Sequence, residues 1–557
     1  MDIGFLAFAA MIPISVALFM NYVQPRERVL GIPTACLITI IVAMGIWGIS
    51  FHQVFTSVIQ GLLISLQLIL LLISVIFCME SLRATQTFSA MSRLFSAIHP
   101  DRRVQALVVA WFFNAFVDSL FGFASSAGIC TLLLYSSGFP PACAIMLSVL
   151  GLMTCNSFST GGAPILFGVA NGLNQPRFLE NLTASGMNME TYLQLITSQV
   201  GIFQAILGAF LPVIMILFMC RFFGRRQTWS EGLSFAPFAL LCGIAFSAPY
   251  AYTAIHLGAR FPSMAGSVIG LALILTLIRF KIFLPKQAWD FLPTSEWPRT
   301  WTGGPYQSPP PPAAIPIGLL MMPFALLAGF SILTHWTSLR LTSFFQTHAS
   351  MTIDMFQNSF QIFAPSPYFL FYSFFLIAVG GINMLAHRFD GFRDTFSQRL
   401  LAPASHAVLN LPFIMPMICL YLHSEINPKA YPGMFRSMAE WLAQLPGAPY
   451  WGAFLSPFLG AASTYFSLNN IYGNLTLSTF QNNLGSALLS QGSVLWVSLQ
   501  VIGASAGCMI ATHYLMGSSI SIPKTEVAGP TGRKTLLAML AYLFAAGVLG
   551  VTVAHVL

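Results

Sequence analysis

Apolar stretches long enough to cross a bilayer recur along the whole chain, each closed by a short polar segment. Single spans are expected near 3–20, 30–50, 54–79, 192–220, 233–255, 262–283, 313–334, 367–386, 404–422 and 535–555. Two longer apolar regions, 104–170 and 450–520, remain. At a rise of about 1.5 Å per residue, each is long enough for two or three helical passes.

Charge narrows the count. All but five of the basic residues fall in six segments: 21–29, 80–103, 221–231, 279–312, 387–403 and 521–534. The exceptions are Arg177, Arg260, Arg340, Lys429 and Arg436. Loops rich in Lys and Arg stay in the cytoplasm, which assigns the six segments to that side. The sides then alternate only if each long region crosses an odd number of times. Three ordinary crossings would satisfy this. The more economical reading is a re-entrant hairpin followed by one crossing, with hairpins near 104–137 and 450–489. They would open to opposite sides, the mark of an inverted repeat.

The expected fold is an all-α polytopic membrane protein, with about 12 transmembrane helices plus two re-entrant hairpins. Residues 1–283 would form one half and 313–557 the other, with both termini extracytoplasmic. The start, Met1-Asp2-Ile3-Gly4, lacks the basic region of a cleaved signal peptide, so the first span is read as retained. Segment 284–312 has no periodicity and contains the run Pro309 to Pro312, which reads as an extended cytoplasmic linker. A binding role for the proline run stays open.

Composition agrees. Of 557 residues, 56% are hydrophobic and 7% are charged, where a soluble domain carries about 25% charged residues. The mean hydropathy of +0.76 identifies lipid as the solvent, and the cell inner membrane is the expected location. A cytosolic enzyme, a nucleic-acid-binding module and a disulfide scaffold are excluded. The nine cysteines show no metal or redox spacing and read as small apolar residues. No cofactor is expected. Gly503-Ala504-Ser505-Ala506-Gly507 matches a hydrolase elbow in letters only, because no strand-to-helix turn accompanies it.

Candidate chemistry concentrates in the two long regions. Asp118 lies in an apolar stretch just before Gly122, Phe123, Ser125 and Ser126. A charge at that depth costs at least ~2.5 kcal/mol, so it must face a cavity or partner, or carry a proton. Asn156, Ser157 and Thr160 precede Gly161, Gly162 and Pro164, a sequence that cannot continue a lipid-facing helix. Asn469, Asn470 and Asn474 form an amide cluster in the second half, with Gln500 and His513 downstream. Each group also has a plain structural reading, as helix cap, kink or packing contact.

Residues 99–172 resemble the L-lactate permease family, secondary transporters that take up lactate or glycolate with protons. The landmarks are Pro100-Asp101-Arg102-Arg103, Ala115-Phe116-Val117-Asp118, Gly122-Phe123 and Ala163-Pro164-Ile165-Leu166. In the second half, Ser456-Pro457-Phe458-Leu459-Gly460 and Asn474 match as well. The sequence also departs from the family. The family's Glu-Gly-x-x-Gly-Phe-Gly is replaced by Asp118 to Ala124. Its Gly-Ser-Asp-Thr-Ser-Ser-Asn is replaced by Leu468 to Asn474, so Asn470 stands where the family has an acid. Its Gly-Lys-Met-Ile is replaced by Gly507 to Ile510, with Cys508 for the lysine. Acid and base go together, and the local charge balance is kept.

The resemblance implies a transporter of a small organic acid, a lactate-like monocarboxylate, driven by protons. Asp118 would be the coupling group, because burial penalises its charged form, and His513 is a second candidate. The acid would be held near the midplane by Ser125, Ser126, Asn156, Ser157, Thr160, Asn469, Asn470, Asn474 and Gln500. Two alternatives remain: transport of a different solute, neutral or ion-coupled, and a non-transporting sensor or assembly protein.

Overall fold

The computed structural model describes residues 1–23, 28–285, 287–304, 314–335, 351–355, 358–362, 368–387, 401–467, 469–489, 492–511, 514–515 and 528–557. The described chain is helical, apart from one antiparallel hairpin, β1 (Met351–Met355) with β2 (Asn358–Ile362). Eight described helices are long and apolar enough to cross a membrane, and five shorter apolar ones accompany them. The protein is an all-α polytopic membrane protein.

The first half opens with α1 (Ile3–Val23), α2 (Arg28–Val42) and α3 (Phe51–Ala84). At 34 residues, α3 outruns its apolar core. Helix α4 (Thr87–Ile98) follows, in a segment the sequence reads as a basic loop. It buries Phe88, Ala90 and Met91 on one face and leaves Arg93 and Leu94 outward. A short amphipathic period of this kind is invisible to a search for apolar spans.

Next come α5 (Arg102–Leu107) and α6 (Asn114–Leu120), joined by a π-helical turn, and the chain reverses into α7 (Ser125–Ser136). Helices α8 (Pro141–Leu150) and α9 (Leu152–Cys155) begin a crossing that is broken at 156–163 and resumes to Gly172. Residues 141–165 are all buried, so protein rather than lipid surrounds the break. Helices α10 (Pro176–Ala184), α11 (Met189–Gly208), α12 (Leu211–Phe223), α13 (Ala236–His256) and α14 (Pro262–Arg279) complete this half.

The segment after α14 is tied to the base of α5 at Trp289 and Asp290. Asp101 accepts from the Trp289 backbone N–H (3.1 Å) and forms a buried ion pair with Arg103 (2.8 Å). Arg102 pairs with Asp290 (3.1 Å), and the Trp289 indole donates to Glu231 (2.6 Å). Residues 305–313, with the proline run, lie outside the described residues.

The second half contains α15 (Ile317–His335), α16 (Tyr368–Ala386) and α17 (Leu401–His423), then the amphipathic α18 (Met434–Ala443). Helices α19 (Ala448–Ser467) and α20 (Asn470–Leu488) pack together, followed by α21 (Gly492–Gly507) and α22 (Ala528–Val556). In each half the first arm of the helix pair lies along the following crossing and runs the same way. Ala110 sits against Gly151 and Phe121 against Thr160; Pro457 sits against Gly503 and Ala461 against Gly507.

The Gly503 to Gly507 run therefore has a packing role. A Cβ on Gly503 would collide with the Pro457 carbonyl, and one on Gly507 would lie 2.5 Å from the Ala461 carbonyl. Small residues let membrane helices meet backbone to backbone. Gly503→Val is expected to cost about 1–3 kcal/mol through overpacking and to lower the yield of monodisperse protein. Gly381→Ala, where nothing lies within 4 Å, is the control. Fluorescence-detected size exclusion after heating measures both.

Candidate functional site

Two chain breaks meet in the core. At the first, Gly122, Phe123 and Ala124 take φ of +61°, +50° and +65° in succession. At the second, Thr160, Gly161 and Gly162 take +48°, +62° and +84°. Left-handed backbone at Phe123, Ala124 and Thr160 is costly and persists only where the surroundings hold it. The breaks hold each other. Thr160 Oγ1 donates to the Phe121 carbonyl (3.1 Å), and a Cβ on Gly122 would strike that same hydroxyl. Glycine is required there for space as well as for φ.

Asp118 lies one turn before the first break and is fully buried. Its Oδ1 accepts from Ser126 Oγ (2.9 Å), while Oδ2 has no hydrogen-bond partner among the described residues. Among the described residues it has no ion pair. A buried carboxyl oxygen without a donor is an exception that calls for a cause, such as a bound molecule or a proton.

The broken crossing brings the second half to the same place. Asn156 Nδ2 donates to Cys508 Sγ (2.6 Å), and Asn470 Nδ2 donates to the Asn156 carbonyl (2.5 Å). The two positions at which the resemblance puts an acid and a lysine are thus joined through Asn156. Among the described residues, the Oδ1 atoms of Asn156 and Asn470 are buried without hydrogen-bond partners, as are Gln500 Oε1, the Tyr472 hydroxyl and both amide atoms of Asn474. The Tyr472 ring faces Phe123 at 6.4 Å. Asn474 lies beside Gly168, just past the break. These segments thus bring together buried polar atoms that lack partners among the described residues, which suits a small polar molecule.

Other sequence candidates serve the scaffold. Ser125 Oγ bonds the Gly122 carbonyl and closes the reversal. Ser157 accepts from Gln204 (2.8 Å), which accepts in turn from the Tyr250 hydroxyl (2.5 Å), forming a network towards α11 and α13. Asn469 caps α20 through the Ile471 N–H (2.8 Å). Pro164 starts the helix after the break. His513 lies outside the described residues.

Sequence reasoning missed two tyrosines of α16. The Tyr372 hydroxyl donates to the Leu120 carbonyl (2.5 Å), and a Cβ on Gly161 would lie 3.1 Å from the Tyr368 hydroxyl. Their spacing of four residues on one helical face was the available signal. A groove of about 860 Å³ between α6, α14 and α15 is apolar, lined by Phe116, Phe261 and Phe324, and takes in none of these polar groups. The orphaned polar atoms mark the site better than that groove does.

The chain resembles several proteins over much of its length. It is 23% identical to the putative L-lactate permease of Haemophilus influenzae, over 81% of this chain and 80% of that one. It is 25% identical to the L-lactate permease of Halalkalibacterium halodurans, over 49% of this chain and 48% of the relative. It is 24% identical to the glycolate permease of Escherichia coli, over 51% and 46% respectively. No solved structure matches. A family profile described as L-lactate permease matches residues 6–557, and on that near-complete match the chain belongs to the L-lactate permease family.

Proposed function

We infer that this protein is a secondary active transporter of a small organic acid, coupled to protons through Asp118. The observation that carries the reading is the buried Asp118 carboxyl, with one oxygen unpartnered, beside two mutually braced chain breaks. Family membership and relatives named for lactate and glycolate support the substrate class. Ser126, Asn156, Asn470, Asn474 and Gln500 are the side chains best placed to hold the acid.

The same reading takes α5–α7 and α19–α20 as re-entrant hairpins of an inverted repeat. An amphipathic helix precedes each pair, and each first arm runs parallel to the next crossing, which supports it. The loop-charge bias favours both termini outside. Transport rather than catalysis is the role proposed for this chain, and the closely packed Gly503 to Gly507 run favours that over hydrolysis.

The test is uptake of labelled lactate, glycolate and a neutral solute into proteoliposomes, with an inward proton gradient and with an uncoupler. Accumulation of an acid that collapses with the uncoupler is expected. Gradient-independent uptake of the neutral solute alone would overturn the reading.

A further inference from the structure

Among the described residues the site above holds no cation, yet a guanidinium stands next to the break. The turn between α13 and α14 passes through Gly258 at φ +84° and presses the Ala259 carbonyl against Gly162, 2.7 Å from where a Cβ would sit. The next residue, Arg260, lies with its Cζ 4.2 Å from the centroid of the Tyr368 ring. Its Nη1 is buried and has no hydrogen-bond partner among the described residues. Among the described residues Arg260 forms no ion pair, although Glu190 at the start of α11 acts on it electrostatically. By contrast Arg83, Arg102, Arg103, Arg177 and Arg436 are all paired with carboxylates. An arginine stays charged, and enclosing its donors without an acceptor is unfavourable, so such a site is built to be completed by an anion.

The contacts run on inward. The Tyr368 hydroxyl reaches Ser331 Oγ at 3.5 Å and lies 3.1 Å from where a Cβ on Gly161 would sit. Gly161 follows Thr160, which is bonded to the Asp118 hairpin. Arg260 and Asp118 are thus linked through one break, by way of Tyr368 on one side and Thr160 on the other. The loop of Arg260 is on the side that the charge bias assigns to the exterior.

We propose that Arg260, seated on Tyr368, receives the carboxylate of the transported acid at the outer mouth of the 156–163 break, before the acid reaches the Asp118 site. The inference rests on the organic-acid reading above. A planar guanidinium offers a carboxylate two parallel hydrogen bonds, which an ammonium cannot reproduce. Tyr368 holds the guanidinium in place through its face and leaves the donors at the edge free.

The experiment compares lactate with lactamide, its neutral amide, in proteoliposomes containing native protein, Arg260→Gln or Arg260→Lys. Arg260→Gln is expected to raise KM for lactate about tenfold or more at similar kcat, and to erase the preference over lactamide. Arg260→Lys should recover part of the affinity. In native protein, lactate but not lactamide should protect Arg260 from phenylglyoxal, read by mass spectrometry, so the assignment does not depend on the variants folding. If native protein accumulates lactate while Arg260→Gln keeps KM within twofold, or lactate gives no protection, the Arg260 assignment fails alone. If native protein accumulates no acid, the transport reading fails and takes this assignment with it.

Discussion

Replacing Asp118 by Asn is expected to abolish proton-driven accumulation of the acid without reducing the amount of folded protein. The amide has the shape of the carboxyl and can still accept from Ser126 Oγ, as Asp118 does. It brings no new charge into a fully buried position, so the thermal midpoint should not fall. The amide cannot, however, carry a proton across. For a one-proton symporter, each pH unit of gradient is worth about 1.4 kcal/mol, or about tenfold accumulation. Asp118→Asn should therefore show an inside-to-outside ratio near one at any imposed gradient. Exchange of labelled for unlabelled acid, which needs no net proton movement, should survive in part. Full accumulation by the variant would transfer the coupling role elsewhere.

How much of this was legible in the sequence follows from where each signal resides. The single spans were readable because a lipid-facing helix must be apolar for its full length, and α1, α13, α14 and α16 coincide closely with the expected segments. Helices α4 and α18 were not, since their apolar residues recur every three or four positions within 12 and 10 residues. The reversal at 121–124 and the break at 156–163 were signalled by Gly and Pro. That Phe123, Ala124 and Thr160 would also be left-handed was not, because their conformation is imposed by the facing break. Among the polar residues, Asn156 and Asn470 are drawn to the core by each other. Asn469, one position away, is spent on a helix cap that any Asn before a helix can supply. Arg260 reads as an ordinary loop cation, and only the docking of its turn onto Gly162 brings it to Tyr368.

The neutral pair at 470 and 508 offers the second large effect. Asn470→Asp would put a carboxylate into a fully enclosed position, where the present Oδ1 already lacks a donor. Cys508→Lys would put an ammonium beside the Asn156 amide, a donor that cannot accept a hydrogen bond from it. Each single change should cost about 3–5 kcal/mol, the usual penalty for an uncompensated buried charge. Both positions touch Asn156, so in the double variant the two charges would neutralise each other, as the family's acid and lysine would. The lysine is bulkier than the cysteine, but that crowding is common to the single and double variants and cancels in the cycle. A coupling of about 1–3 kcal/mol in favour of the double variant is expected from denaturation of the purified proteins. Strict additivity would show that the two positions do not share an electrostatic environment, and the meeting of the two halves at Asn156 would then need another explanation.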